Sequence, residues 1–425
     1  MMSAIEVNMF KKFNMILIVL LMIFLIYDAF FNPHNKQTLN EIFEIKNEPI
    51  EIRFVSSWGG EDNKSGILDQ VLNEFNSKHP DILVINESMS GEDFLYNLKT
   101  DFASNHPPDV FGLWPGSDLE KLIELGMVAD LKPIIESDQS WGQVFDDDIY
   151  SEYLSKEHVY SIPFELIYEG LFINKTILDR YRIAVPENFE DLANAVKRLR
   201  SFNVLPIAYN NTPEGSYIYQ NIVASIGGVE IESDELELFE AMKIGADKIK
   251  YLYDLKAFPE DAFMLDDYSR DQLFRDGKAA MIVQGSWFIN EDLGKNNEIV
   301  FIPFPYDESN KRLTYGLGNG NFHISSNCYE DESRKDAAIL FLKYLVSKES
   351  VLKFDALPGF ISSLEMDSPK TNQFVTAYFS DVAEHVKPVD HLVDRSKWER
   401  HIIFQFPMML EGQITVEALL NELKH

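Results

Sequence analysis

From Ile50 onward the chain alternates short apolar segments of period two with longer segments of helical period, and that alternation leaves few folds open. Glu51 to Ser56 sets Ile52 and Phe54 against Arg53 and Val55, a short strand. Ile67, Leu68, Val71, Leu72 and Phe75 then recur at helical spacing until His79-Pro80-Asp81 stops them. Ile82–Ile85 reads as a second strand, and a helix around Phe94–Phe102 leads into Pro107-Pro108-Asp109-Val110-Phe111. Strand, helix, strand, helix, strand requires crossovers, so a parallel sheet covered by helices is expected. The rhythm returns later. Helices are expected at Leu192–Phe202, Tyr217–Ile226, Glu235–Leu255, Asp336–Val346 and Val416–Leu423. Strands are expected at Pro206–Tyr209, Ala279–Gln284 and Ile299–Pro303. A chain of 425 residues can bury two cores, and two α/β lobes is the simplest arrangement.

Residues 1–31 read differently. Lys11 and Lys12 precede an unbroken apolar run from Met15 to Tyr27, followed after Asp28 by Ala29, Phe30 and Phe31. This is a signal peptide or an uncleaved membrane anchor, with the positive flank inside and everything after it outside. Bulky Phe30 and Phe31 occupy the place where small residues would mark cleavage, which favours the anchor and a cell-surface location. Residues 32–48 form a polar tether. The single cysteine, Cys328, leaves no lipid-accepting thiol after the apolar run and excludes an internal disulfide or a thiolate metal site. Asp and Glu number 69 against 38 Lys and Arg, a formal charge of -31 that repels nucleic acid.

The densest motif is Phe274-Arg275-Asp276-Gly277-Lys278-Ala279-Ala280-Met281, followed by Gly285-Ser286-Trp287. Before it come Pro107-Pro108-Asp109-Val110, Tyr160-Ser161-Ile162-Pro163, Asn174-Lys175 and Gly227-Gly228. After it come the Gly316–Gly320 turn and Glu411-Gly412-Gln413-Ile414-Thr415-Val416-Glu417-Ala418-Leu419. In this order they resemble the bacterial extracellular solute-binding proteins of family 1, which include the maltose- and oligosaccharide-binding receptors of ABC transporters. The resemblance runs from about Ile50 to the C-terminus. Departures are the missing lipid-modified cysteine, Ile173 where many members have tyrosine, and Gly359-Phe360-Ile361-Ser362 without a second proline.

The resemblance implies a two-lobed periplasmic-binding-protein-like fold of type II, with the ligand held between the lobes. It places one lobe at residues 49–167 plus 318–362 and the other at 168–317 plus 363–425. Crossovers are then expected near Glu165–Gly170, Tyr315–Gly318 and Ile361–Glu365. A monomer follows that uses no cofactor and no metal, binds a small carbohydrate and hands it to ABC permease subunits. A receptor that reports its ligand to a membrane kinase is the alternative an anchored chain leaves open.

Loops at the carboxyl ends of strands converge on the crevice of an open α/β sheet. Trp58, Trp114 and Trp287 each follow an expected strand, whereas Trp141 is assigned to packing. Trp398 lies where the family carries a sugar-stacking aromatic. Flat indoles cover the C–H face of a pyranose, and short polar side chains bind its hydroxyl rim. The polar candidates are Ser57, Glu61, Glu165, Tyr168, Tyr217, Gln220 and Asn319. Each has an ordinary structural role as its alternative: Glu165 solvated at a crossover, Tyr217 and Gln220 as lobe contacts on one helical face, Asn319 as a turn residue. Glu61, Glu165 and Glu169 also admit a glycoside hydrolase, which needs a carboxyl pair. Against it, the sequence contains no Walker A loop or H-E-x-x-H zinc motif, and the motif order matches non-enzymatic receptors.

Overall fold

Ile52 and Phe54 of strand β1 (Ile50–Val55) are fully buried, so one face of the first strand is core, as period-two alternation requires. The computed structural model describes residues 48–423, apart from Glu61, 139–140, 142–143, Asp146, Glu308, 365–381, Glu422 and the side chain of Glu92. The expected anchor, nearly all of the tether and the candidate Glu61 therefore lie outside the described residues.

The first sheet runs β2 (Ile82–Asn86), β1, β3 (Val110–Gly112), β10 (Asn321–Ile324), β4 (Ile162–Pro163). β1 pairs in parallel with both β2 and β3, as the helical crossovers Ser65–Lys78 and Gly91–Ala103 demand. β10 and β4 are antiparallel additions. β10 is entered from the other sheet and β4 leads out to it, so the βαβ rule does not set their direction.

The second sheet is built around β5 (Glu165–Asn174), buried along its whole length. Its order is β12 (Glu384–Val386), β9 (Arg312–Leu317), β5, β7 (Ala279–Gly285), β6 (Leu205–Ala208), with β8 (Ile299–Ile302) and β11 (Ile361–Ser362) also pairing with β5. β5 is antiparallel to all four partners, so antiparallel strands join the expected parallel pairs and both sheets are mixed.

Each sheet has its own core. Leu68, Val71, Leu72 and Phe75 pack with Phe341, Leu342 and Leu345 on one face of the first sheet, and Phe94, Leu98 and Phe102 lie on the other. Beside the second sheet, helix Tyr217–Gly227 packs on helix Glu235–Asp254 and on the C-terminal helices. Helix starts are fixed locally. Asp266 accepts from the Ser269 amide at 2.7 Å to open helix Asp267–Arg275, and Asn188 accepts from the Asp191 amide at 3.0 Å to open Phe189–Ser201. Such caps contribute ~1 kcal/mol each.

The chain passes between the sheets at Phe164, again at Gly318–Gly320, and a third time on its way into β11. These passages are tied together. The amides of Phe164 and Glu165 both donate to the Gly320 carbonyl, at 2.8 and 3.0 Å, and the Ser363 amide donates to the Phe164 carbonyl at 3.1 Å. A side chain on Gly320 would come within 2.5 Å of Glu165 Cβ and 2.8 Å of the Trp58 ring, so only glycine fits this crossing. Residue 167, the expected lobe limit, falls inside β5.

Candidate functional site

The carboxyl ends of parallel β1 and β3 open toward the second sheet, and the segments that follow them carry Ser57, Trp58 and Trp114. Opposite, β7 ends at Gly285 and the chain folds Trp287 back on itself. A Cβ on Gly285 would meet the indole at 2.1 Å, so glycine is needed for that fold-back. Between the lobes lies a cavity of about 440 Å³, within the range for small-ligand sites. The first lobe contributes Ser57, Trp58, Asp62, Lys64 and Trp114, and the second contributes Glu214, Tyr217, Asp271, Trp287 and Asp390. The crossing segments supply Glu165, Glu169 and Asn319.

The aromatic walls are held from behind. The Trp58 ring packs on Phe164, Phe322 and Phe354 with centroids 5.3–5.4 Å away, and Lys64 Nζ sits 5.4 Å above it. Trp287 meets the Tyr217 ring edge-on at 5.5 Å. Trp114 lies beneath the Arg395 guanidinium at 5.6 Å, a contact between lobes. Around it the lobes touch further: Lys121 pairs with Asp394 at 2.8 Å, and the Arg395 amide donates to Ser117 Oγ at 2.8 Å. Asn63 Nδ2 donates to the Ile289 carbonyl at 3.0 Å.

Three charge arrangements shape the polar part. Glu165 is buried with Lys64 at 3.2 Å, and Asp62 lies 3.8 Å from the same ammonium. Burial works against the Lys64 charge, but Glu165 and Asp62 hold it above its ordinary value. Glu169 is 2% exposed, and among the described residues no cation offsets its burial. Burial, with Asp390 adding repulsion, pushes its carboxyl up to about 8, although the Asn221 amide donates to it at 2.9 Å. At neutral pH Glu169 is therefore mostly protonated and offers an O–H donor. The third is Arg270, 1% exposed, whose guanidinium reaches Glu214 and Asp267 at 2.9 Å and Asp271 at 2.7 Å. All three carboxylates line the cavity while the arginine stands behind them.

Asn319 completes the site. Neither its amide nitrogen nor its amide oxygen has a hydrogen-bond partner among the described residues, and both are buried. Trp58 Nε1 is in the same state. Unpaired buried polar atoms cost ~1–3 kcal/mol each, a cost that a ligand hydroxyl removes. The arrangement suits capture of a polyhydroxylated neutral molecule. Among the described residues no cluster of His, Cys, Asp and Glu is arranged to hold a metal ion.

Of the residues singled out from sequence, Ser57, Trp58, Trp114, Glu165, Tyr217, Trp287 and Asn319 line this cavity. Three others stand behind its wall. Tyr168 is buried in β5 with its ring edge-on to Phe301 at 5.0 Å. Gln220 donates to Ser216 Oγ at 3.1 Å and accepts from the Asp390 amide at 3.1 Å, so it positions two lining segments. Trp398 is 2% exposed, stacks on Tyr219 at 5.8 Å and donates to Ser216 Oγ at 3.3 Å. It supports the helix bearing Tyr217, because the apolar interior of the second lobe takes its indole. Sequence reasoning missed Asp62, Lys64, Asp267, Asp271, Asp390 and Arg395. Only Asp267 carried a local signal, since Asp266 caps the helix that begins beside it.

The model for bacterial extracellular solute-binding proteins matches residues 60–351. The multiple sugar-binding protein of Streptococcus mutans is 23% identical over 308 residues, 69% of this chain and 70% of that one. A structure from work on xylan utilization by Caldanaerobius polysaccharolyticus superposes with a TM-score of 0.75 at 22% identity, covering 88% of this chain and 99% of that one. A Bacillus licheniformis sugar transporter structure in complex with stachyose gives 0.69 at 16% identity, covering 88% and 98%.

Proposed function

Because the chain belongs to the bacterial extracellular solute-binding proteins, we propose that it captures a neutral oligosaccharide between its lobes and delivers it to the permease of an ABC importer. The observation that carries this reading is the cavity itself, which indoles from both lobes line together with the unpaired Asn319 amide. A relative named for sugar binding and a structural neighbour holding stachyose support the ligand class. The acidic lining, with Glu214, Asp267 and Asp271 side by side, disfavours anionic ligands. Residues 1–31 would keep the receptor on the outer face of the membrane.

Capture works by closure. A ligand that touches both walls stabilises the closed form, and the permease reads that form. Moving from about 1:99 to about 99:1 closed over open needs a roughly ten-thousandfold preference, ~5.5 kcal/mol, within the ~8 kcal/mol of a micromolar ligand.

A thermal-shift screen over mono- and oligosaccharides tests the reading. A specific sugar at a hundred times its Kd is expected to add ~2.7 kcal/mol. Trp287→Ala is expected to weaken that sugar by ~2 kcal/mol, about thirtyfold, without unfolding the protein. A response to amino acids or peptides and to no carbohydrate would sink the assignment.

A further inference from the structure

We propose that the interlobe cavity continues into a second groove that holds the outer units of the same oligosaccharide, so that the preferred ligand is longer than the cavity alone holds. This rests on the sugar-binding reading above. A groove of about 570 Å³ lies on the second lobe, and Tyr268, Asp271 and Arg275 line both it and the interlobe cavity. These residues sit on helix Asp267–Arg275, whose side chains form the sill between the two spaces.

The sill is built for contact with a sugar. Tyr268 is 66% exposed, an aromatic face kept out of the core at the point where the spaces meet. Arg275 is fixed beside it. Its guanidinium lies 4.0 Å from the Phe288 ring centroid, donates to the Phe288 carbonyl at 2.7 Å and reaches Asn290 Oδ1 at 3.1 Å. Beyond the sill the groove presents Gln272, Asn290, Asn296 and Asn297, short amides that both donate and accept. Its charges balance, Asp271 and Asp292 against Arg275 and Lys295, so it favours an uncharged ligand. An exposed aromatic beside neutral amides suits a pyranose that extends beyond the interlobe cavity.

Calorimetric titration with melibiose, raffinose and stachyose, and with xylobiose to xylotetraose, tests the proposal on the full chain. In the series that binds, the tetrasaccharide is expected to bind at least about tenfold tighter than the disaccharide. The double variant Gln272→Ala/Asn296→Ala, which changes residues of the groove and not of the cavity, is expected to abolish that gain and leave the disaccharide untouched. A disaccharide bound as tightly as its tetrasaccharide would overturn the groove and leave the sugar reading standing. So would a double variant that binds every length like the parent, even if it then failed in transport, since the groove would be a permease contact. If no sugar of any length binds, both readings fall.

Discussion

Replacing Arg270 with leucine is expected to destabilise the protein by about 3–5 kcal/mol, the cost of removing one member of a buried charge cluster. The guanidinium is the common partner of Glu214, Asp267 and Asp271, at 2.7–2.9 Å, and it also reaches Asn210 Oδ1 at 3.1 Å. Burial alone already pushes the Glu214 carboxyl up, with Arg270 opposing it. Without the cation, three neighbouring carboxylates repel one another, and the Glu214 carboxyl loses the charge that opposes its upward shift. The deficit of the leucine variant should therefore shrink as the medium is acidified, because protonation removes the repulsion. Arg270→Lys should fall between the two, since an ammonium keeps the charge but not the planar fork that serves several acceptors at once. Urea titrations of the three proteins at neutral and acid pH measure this. Equal stability of Arg270→Leu and parent at neutral pH would show that the cluster contributes nothing. Sugar affinity should fall as well, because the same three carboxylates form part of the cavity wall.

That cluster also shows where sequence reasoning stops. Element types were legible wherever one period ran long enough. Strand β1, helix Glu235–Asp254 and strand β7 lie within a residue or so of their expected bounds, because the first two bury one coherent face or stripe and β7 is buried along its whole length. Trp58, Trp114 and Trp287 were legible as cavity residues because a parallel strand's carboxyl end fixes where the next residues go. Trp398 follows no strand, and packing among helices decided its place. Tyr217 and Gln220 share a helical face by spacing, yet one meets the cavity and the other turns to Ser216 and the Asp390 amide. Asp62 comes from a segment hundreds of residues away from the one that carries Asp390 and Arg395, and only the two-sheet topology brings them to one space. No local pattern encodes such a meeting. Likewise, Glu165 was weighed as a solvated crossover residue, whereas it is buried against Lys64.

Glu169→Gln is expected to change how stability depends on pH more than any other single substitution in the cavity. The carboxyl moves from an ordinary 4.5 to about 8 on folding, so the folded state holds a proton that the unfolded state has lost throughout that window. With more protons bound when folded, unfolding free energy falls as pH rises, by ~1.4 kcal/mol per pH unit. Below the ordinary value both states are protonated and the group contributes no slope. Above about 8 the folded carboxyl ionises too and the loss levels off. Glutamine imitates the neutral form, accepting from the Asn221 amide as the acid does. The variant should therefore match the parent near pH 4.5 and exceed it at pH 8 and above by on the order of 4 kcal/mol, an upper figure if the site relaxes. Denaturant melts of both proteins across this range give the difference directly, and other titrating groups cancel in it. A difference that stays flat with pH would mean that Glu169 ionises normally in the fold. Sugar binding sharpens the test. The parent should lose affinity as pH passes about 8 and a buried negative charge appears beside Asp390, while Glu169→Gln should bind equally well on both sides.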